Sequence, residues 1–353
     1  MISLFRSYSS LHAAFERRQS AADISTQLQQ SQKELATGIR SDVFASIGVR
    51  AAETLDLRAS SSRDAAQVVA NRLLLGRMES MSDALGTMRD AVSTTLELAI
   101  PNRDAPLGTS TGVQAAARTS LESLIAQANA SHGGAPLFSG VEQPGRTLQG
   151  WAEVNPDTGL SPADVMQQIL AGGLSDTASV NAALADLEAA FGNASGTAGW
   201  NYDATFYNGA PETGPRPTAG IGDGATVEFG VQANDRAFRD TMMGLAMLAS
   251  VDPGSIQDDA AYKAWMNAAV SKISGGSAGL LELETRVGAQ QARIETANTR
   301  MEDRADIYAG RIVDLEGVDE YEAATRIKLL ETQLQASYAV TARLSQLSFL
   351  NYM

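Results

Sequence analysis

Cysteine is missing from all 353 residues, which removes disulfides, thiolate metal sites and a cysteine nucleophile together. Histidine is almost missing: His12 and His132 stand too far apart for a local metal motif, and a structural or solvent-facing role is expected for each. Proline is missing from both ends, its ten copies all falling between Pro101 and Pro253. An interior proline costs a helix about 3 kcal/mol, so both ends are free to form long unbroken helices. No apolar run approaches the roughly 18 residues of a membrane-spanning helix, only short pieces such as Leu73–Leu75 being present, and no membrane partner is expected. Nor do the first thirty residues carry an apolar stretch of seven or more ahead of a small-residue cleavage site, so a conventional secretory signal is not expected.

Positive charge is also in short supply. The formal charge of −14 argues against nucleic acid and anionic lipid, both of which require a basic surface to displace counterions. The deficit is local: residues 141–270 hold 16 acids against 5 bases, while the remainder, 25 against 22, is nearly neutral.

What is present is helical periodicity. Leu74, Met78, Met81, Leu85, Met88, Val92, Leu96 and Ala99 step by three or four, one stripe along one helix face. Leu280, Val287, Ile294, Met301, Tyr308 and Leu315 recur every seventh residue as a coiled-coil seam, but the half-step positions Gln290, Ala297, Arg304 and Arg311 are small or polar. Half a zipper needs another partner, and the 74–99 stripe is the natural one. A helix over about 276–316 would span roughly 60 Å, which predicts an elongated bundle built from both ends of the chain. The methionines of the stripe read as packed core rather than as a peptide groove.

The first helix, with Leu4, Tyr8, Leu11, Phe15 and Ala22 on one side, is expected to run to Leu35 before "ATGIRSDVFASIG" at 36–48 interrupts it. At the other end Gly317 can end one helix and Asp319 can cap the next, which carries Ile327, Leu330, Leu334, Leu344 and Leu347 on one face. Between 100 and 260 the pattern changes. "SPADVMQQIL" and "SVNAALADLEAAF" read as short capped helices, whereas "WNYDATFYNG" and "ATVEFGVQA" alternate like strands. A helix resumes at "NDRAFRDTMMGLAMLA", capped by Asn234 or Asp235 with Phe238, Met242, Leu245 and Leu248 inward, and "DDAAYKAWMNAAVSKI" supplies another. The fold class is therefore mainly α: a long coiled-coil-like bundle of the N- and C-terminal regions carrying an inserted α+β domain. Its expected divisions are 1–40 with 322–353, 41–140 with 236–321, and an acidic insertion at 141–235.

No enzyme emerges from these residues. "GIGDGATVEFG" at 220–230 has the glycines of a phosphate loop but leads into a strand, the wrong context, and reads as a glycine turn. "NPDTG" at 155–159 lacks the repeated acids of a calcium loop and reads as a turn. Glu282 with Glu284, and Asp258 with Asp259, read as solvated helix faces. No catalytic, cofactor-binding or metal residue is assigned.

The chain ends pose a different problem, since their apolar stripes contain few aromatic anchors. Burying one leucine or phenylalanine contributes about 1.5–3 kcal/mol, so ordering such helices requires several neighbours. Other subunits are the expected neighbours, giving a ring or helical filament. The competing arrangement folds 327–350 back onto 4–35 of the same chain.

Four stretches together carry a resemblance: "QKELATGIRSDV" at 32–43, "PLFSG" at 136–140, "EFGVQANDRAFRDTMMGLAMLA" at 228–249, and "YEAATRIKLLETQLQASYAVTARLSQLSFLNYM" from Tyr321. With them the chain resembles the bacterial flagellin superfamily over about 1–140 and 225–353. Within it the likeness is to the hook-filament junction branch, hook-associated protein 3. After the "TG" pair, "IRSDVFASIGVRAAE" stands where ordinary flagellins have an Asp-Asp-rich segment, favouring that branch over the filament subunit. The resemblance implies type III export as an unfolded chain, assembly outside the cell on the flagellum, and no cofactor. The implied partners are copies of itself, a neighbouring hook-associated protein, flagellin and a cytoplasmic export chaperone on the C-terminal helix. It also implies an inner layer of 1–40 with 322–353, long helices of 50–130 and 276–316 in the next, and the insertion outward. Leu4, Phe5, Leu11, Phe15, Leu344, Leu347, Phe349 and Leu350 would then be the assembly interface.

Overall fold

In a computed structural model the backbone is described over residues 2–107, 110–192 and 201–350, and the side chains over 12, 15–107, 110, 112–192 and 201–344. In chain order the helices are α1 (Ile2–Thr37), α2 (Val43–Ile47), α3 (Ala51–Ala99), α4 (Ser110–Ala128), α5 (Pro162–Ile169), α6 (Thr177–Phe191), α7 (Tyr202–Thr205), α8 (Arg236–Ser250), α9 (Asp259–Glu316) and α10 (Glu320–Leu350). Strands are few: β1 (Ser131–His132) pairs antiparallel with β2 (Ala135–Pro136), and β3 (Thr218–Gly222) with β4 (Ala225–Glu228). The fold is mainly α, as composition and periodicity predict.

Two compact units divide the chain, Gln67–Thr299 in one and Met1–Ala66 with Arg300–Met353 in the other; α3 and α9 contribute to both. In the unit of 67–299 the inward face of α3 (Met78, Met81, Leu85, Met88, Val92) joins Leu280, Val287 and Ile294 of α9 in one buried core. Arg89 donates to Glu284 at 2.5 Å, and Asn71 Nδ2 donates to Asn298 Oδ1 at 2.8 Å in a buried pair beside this seam. The core continues through Val113, Leu121 and Leu124 of α4 and Phe238, Met242, Leu245 and Leu248 of α8 into residues 141–235, where it takes in Val165, Val180, Leu187 and Val227. Arg216 and Asp235 add a bidentate ion pair, Nη2 to Oδ1 at 2.5 Å and Nη1 to Oδ2 at 3.1 Å.

Three local expectations change. The helices expected at 258–273 and from 276 are one helix, α9, running unbroken through Gly275 and Gly276. Glycine costs a helix interior about 1 kcal/mol relative to alanine, and here its missing side chain permits close packing on α8. A Cβ on Gly276 would overlap Thr241, one on Gly279 would lie 2.8 Å from Ala237 Cβ, and one on Gly244 would lie 2.5 Å from Ile273 Cγ1. The second change is at "WNYDATFYNG". Trp200 lies outside the described residues, and Tyr202–Thr205 form α7 with Asn201 as cap, its Oδ1 accepting from Ala204 N at 2.8 Å. Tyr202 and Phe206, four apart, stack on each other at 5.5 Å, and Phe206 stacks on Phe191 at 4.7 Å. The alternation of large residues thus belongs to a single helical turn; only Tyr207 makes a strand-like bridge, to Leu148. Third, Asp235 is the N-cap residue of α8, yet its side chain does not cap the helix, being taken by Gln232 N and Arg216.

The glycine-rich 220–230 is a hairpin. Asp223 and Gly224, at φ 52° and 73°, are both left-handed, as a tight two-residue turn between β3 and β4 requires. At 155–159, Asn155 Oδ1 accepts from Asp157 N at 2.9 Å and Asn155 O accepts from Gly159 N at 2.8 Å, closing a turn.

Candidate assembly interface

The unit of 1–66 and 300–353 starts from a helix pair, α1 against α10. The side chains drawn inward are modest: Ala21, Ile24 and Leu28 are half-buried and Ser31 is buried on α1, while Ala323 and Leu330 are buried and Ile327 and Leu334 half-buried on α10. These inward positions, spaced by three and four, mix Ile and Leu with Ala and Ser, and most of them are only half-buried. The aromatic residues and several aliphatic ones point away: Phe15 is 64% exposed, Tyr321 84% and Leu344 41%, with Leu35, Leu329, Tyr338 and Val340 also open. Folding 327–350 onto α1 of the same chain therefore does occur, and it leaves these large apolar groups uncovered.

Both helices break at a shared joint. Gly38, at φ 69°, ends α1; its carbonyl accepts from Val318 N at 3.0 Å, Arg40 N donates to Glu316 O at 3.0 Å, and Ile39 bridges Gly317. Glu316 is buried, its carboxylate held by Arg58 through Nε at 3.2 Å and Nη2 at 2.6 Å. Glu34 accepts from the amide and hydroxyl of Ser41 at 2.9 Å each. Beyond the joint, Asp319 Oδ1 caps α10 by accepting from Tyr321 N at 2.8 Å and Glu322 N at 3.1 Å. A few residues after Gly38 in sequence, Phe44 and Val49 stand in the open, Val49 at 97% exposure. The sequence marks each break separately through Gly38, Gly317 and Asp319, but has no local signal that the two meet.

Along the bundle, Met78, Met81, Leu85, Met88, Val92, Val287, Ile294, Met301 and Leu315 are buried, whereas Leu74 and Tyr308 are half-buried. The half-step arginines of α9 reach carboxylates of α3: Arg304 makes a bidentate pair with Asp64, both distances 3.1 Å, and Arg311 lies 4.0 Å from Glu53. Of the residues expected at the assembly interface, Phe15 and Leu344 are exposed. Leu4, Phe5, Leu11, Leu347, Phe349 and Leu350 have side chains outside the described residues.

Neither histidine builds a reactive centre with its neighbours among the described residues. His12 lies 3.3 Å from Glu16 on an exposed face, and His132 Nδ1 lies 2.9 Å from Ser80 Oγ. Among the described residues no group of three His, Cys, Asp or Glu is arranged to hold a metal, and no helix is long and apolar enough to cross a membrane.

Residues 9–143 match the family model for the bacterial flagellin N-terminal helical region, and residues 270–353 match that for the bacterial flagellin C-terminal helical region. The chain belongs to the bacterial flagellin superfamily. It is a structural component of the flagellum, and the matched regions of this flagellin-superfamily chain contain the helix pair, the joint and most of the α3–α9 seam. Outside both matches lie residues 144–269, with α5 to α8 and the β3–β4 hairpin. A comparison with curated proteins finds no match.

Proposed function

We propose that this chain is a hook-filament junction subunit, which assembles through its terminal helices and connects the hook to the flagellin filament. The observation that carries the assembly reading is that Phe15, Tyr321, Tyr338 and Leu344 remain open on the α1–α10 pair. Copies of the chain, a neighbouring hook-associated protein and flagellin are the proposed occupants, and an export chaperone covers α10 before secretion. In this reading 1–40 with 322–353 form the inner assembly layer, 41–140 with 236–321 the long-helix bundle, and the acidic 141–235 the outer domain. The choice of junction over filament rests on "IRSDVFASIGVRAAE" at 39–53.

The second reading is flagellin itself, favoured by the same two family matches. Electron microscopy of cells lacking the protein separates the two. Intact hooks that shed unattached flagellin into the medium are expected for a junction subunit. Loss of the filament material itself would assign the chain to the filament instead.

A further inference from the structure

A groove of about 590 Å³ runs between α4, α5 and the end of α8, lined wholly by residues of the unit of 67–299 and by none of the α3–α9 seam. That is the size of a small-ligand site, which typically holds about 300–1,000 Å³. Its floor includes Leu121 and Met166, both buried. Trp151 forms part of its wall and is half-buried, whereas Trp265, Tyr202, Phe206 and Phe138 of the same unit are sealed. The backbone at Trp151 is fixed, its carbonyl accepting from Ala163 N at 3.0 Å as α5 begins.

Polar groups of three kinds stand at the rim. Arg118 Nε donates to Ala249 O at 2.9 Å, which holds the guanidinium in place, and its Nη atoms make no hydrogen bond among the described residues. Glu122, one turn further along α4, and Gln167 on α5 are exposed, with no side-chain partner among the described residues. Opposite charges one turn apart leave little net field, so the rim suits neither phosphate nor a metal cation. It offers planar donors and acceptors above an aromatic and aliphatic surface.

We propose that this groove binds a neutral oligosaccharide. A sugar ring has an apolar C–H face and an edge of hydroxyl groups, the same two chemistries in the same order. The C–H face would lie against the Trp151 indole, and vicinal hydroxyls would donate to Glu122 and the Gln167 carbonyl and accept from Arg118. Binding here is independent of the junction reading and would give a flagellar subunit a surface for glycans.

The test uses the full-length protein with maltotriose, cellotriose and chitotriose, read by saturation-transfer NMR and tryptophan fluorescence. At least one trisaccharide should bind, and Trp151→Ala should weaken it about tenfold or more, with Trp151→Phe intermediate. Gln167→Ala, which removes an exposed side chain and leaves folding untouched, should weaken it several-fold. Unchanged affinity in Trp151→Ala and Gln167→Ala would overturn the proposal, as would no response to any of the three sugars. Saturation by a short apolar peptide in their place would assign the groove to protein and overturn it equally.

Discussion

The two units use the same kind of long helix and opposite rules for what goes between them. In the unit of 67–299 the inward positions of α3 and α9 are Met, Leu, Val and Ile, and the large rings of α6 to α8 are sealed. In the unit of 1–66 and 300–353 the buried apolar side chains among the described residues are Met301, Leu315, Ala323 and Leu330, while Phe15, Phe44, Ile307, Val313, Tyr321 and Tyr338 face out. Spacing alone does not distinguish them. The difference lies in which face receives the bulk, and it teaches that one unit is finished by its own chain whereas the other is left for neighbours.

Deleting residues 335–353 should widen that contrast most. Assembly onto hooks should be lost completely, while the cooperative unfolding of 67–299, followed by calorimetry, keeps its midpoint. A shared loss of both would show that the finished unit depends on the unfinished one. Single substitutions sharpen the same comparison. Met88→Ala, at a fully buried position, should cost about 2–5 kcal/mol in urea unfolding. Gly276→Val should be comparably damaging, because its side chain would enter the backbone and side chain of Thr241. Leu344→Ala and Tyr321→Ala, at exposed positions, should change the monomer by no more than about 0.5 kcal/mol and still impair assembly.

Alkali should act on the finished unit. Burial pushes the Tyr202 and Tyr207 phenols up, with the carboxylates of Asp203 and Asp235 adding to the rise at Tyr207. A raised folded value means that the native state holds its proton longer, so this contribution is intact below the ordinary phenol value of about 10. Above it the unfolded chain ionises first, and stability should fall by about 1.4 kcal/mol per pH unit for each phenol. Urea unfolding between pH 9 and 11 measures this, and Tyr202→Phe should flatten the slope.

Much of this architecture was legible from residue spacing. The 74–92 stripe, the 280–315 seam, the capping Asp319 and the turn at Asp223–Gly224 all depend on neighbours in sequence, and periodicity and turn chemistry report those directly. The misread features depend on distant neighbours. Gly275 and Gly276 resemble a break until Thr241 and Ala237 are seen packed against that stretch of α9, and Tyr202 and Phe206 resemble a strand until Phe191 arrives to stack. The apolar residues of the terminal helices were legible as stripes. The pairing of α1 with α10 stood there only as the competing arrangement, since the inward Ala21, Ser31 and Ala323 carry weak hydropathy signals beside the Ile and Leu of the same faces.

The smallest expected effect concerns the joint between the two helix breaks. Asp319→Ala removes the acceptor for Tyr321 N and Glu322 N, and loss of such a cap costs about 1 kcal/mol. The bonds Val318 N to Gly38 O and Arg40 N to Glu316 O do not use this side chain, nor does the Arg58–Glu316 pair. Hydrogen exchange should therefore speed up about fivefold at 320–323, the factor that corresponds to 1 kcal/mol, and stay unchanged at Arg40 and Val318. Faster exchange at all of these amides would mean that the cap and joint open as one piece. In that case the exposed face of α10 owes its position to the cap as well as to its seam with α1.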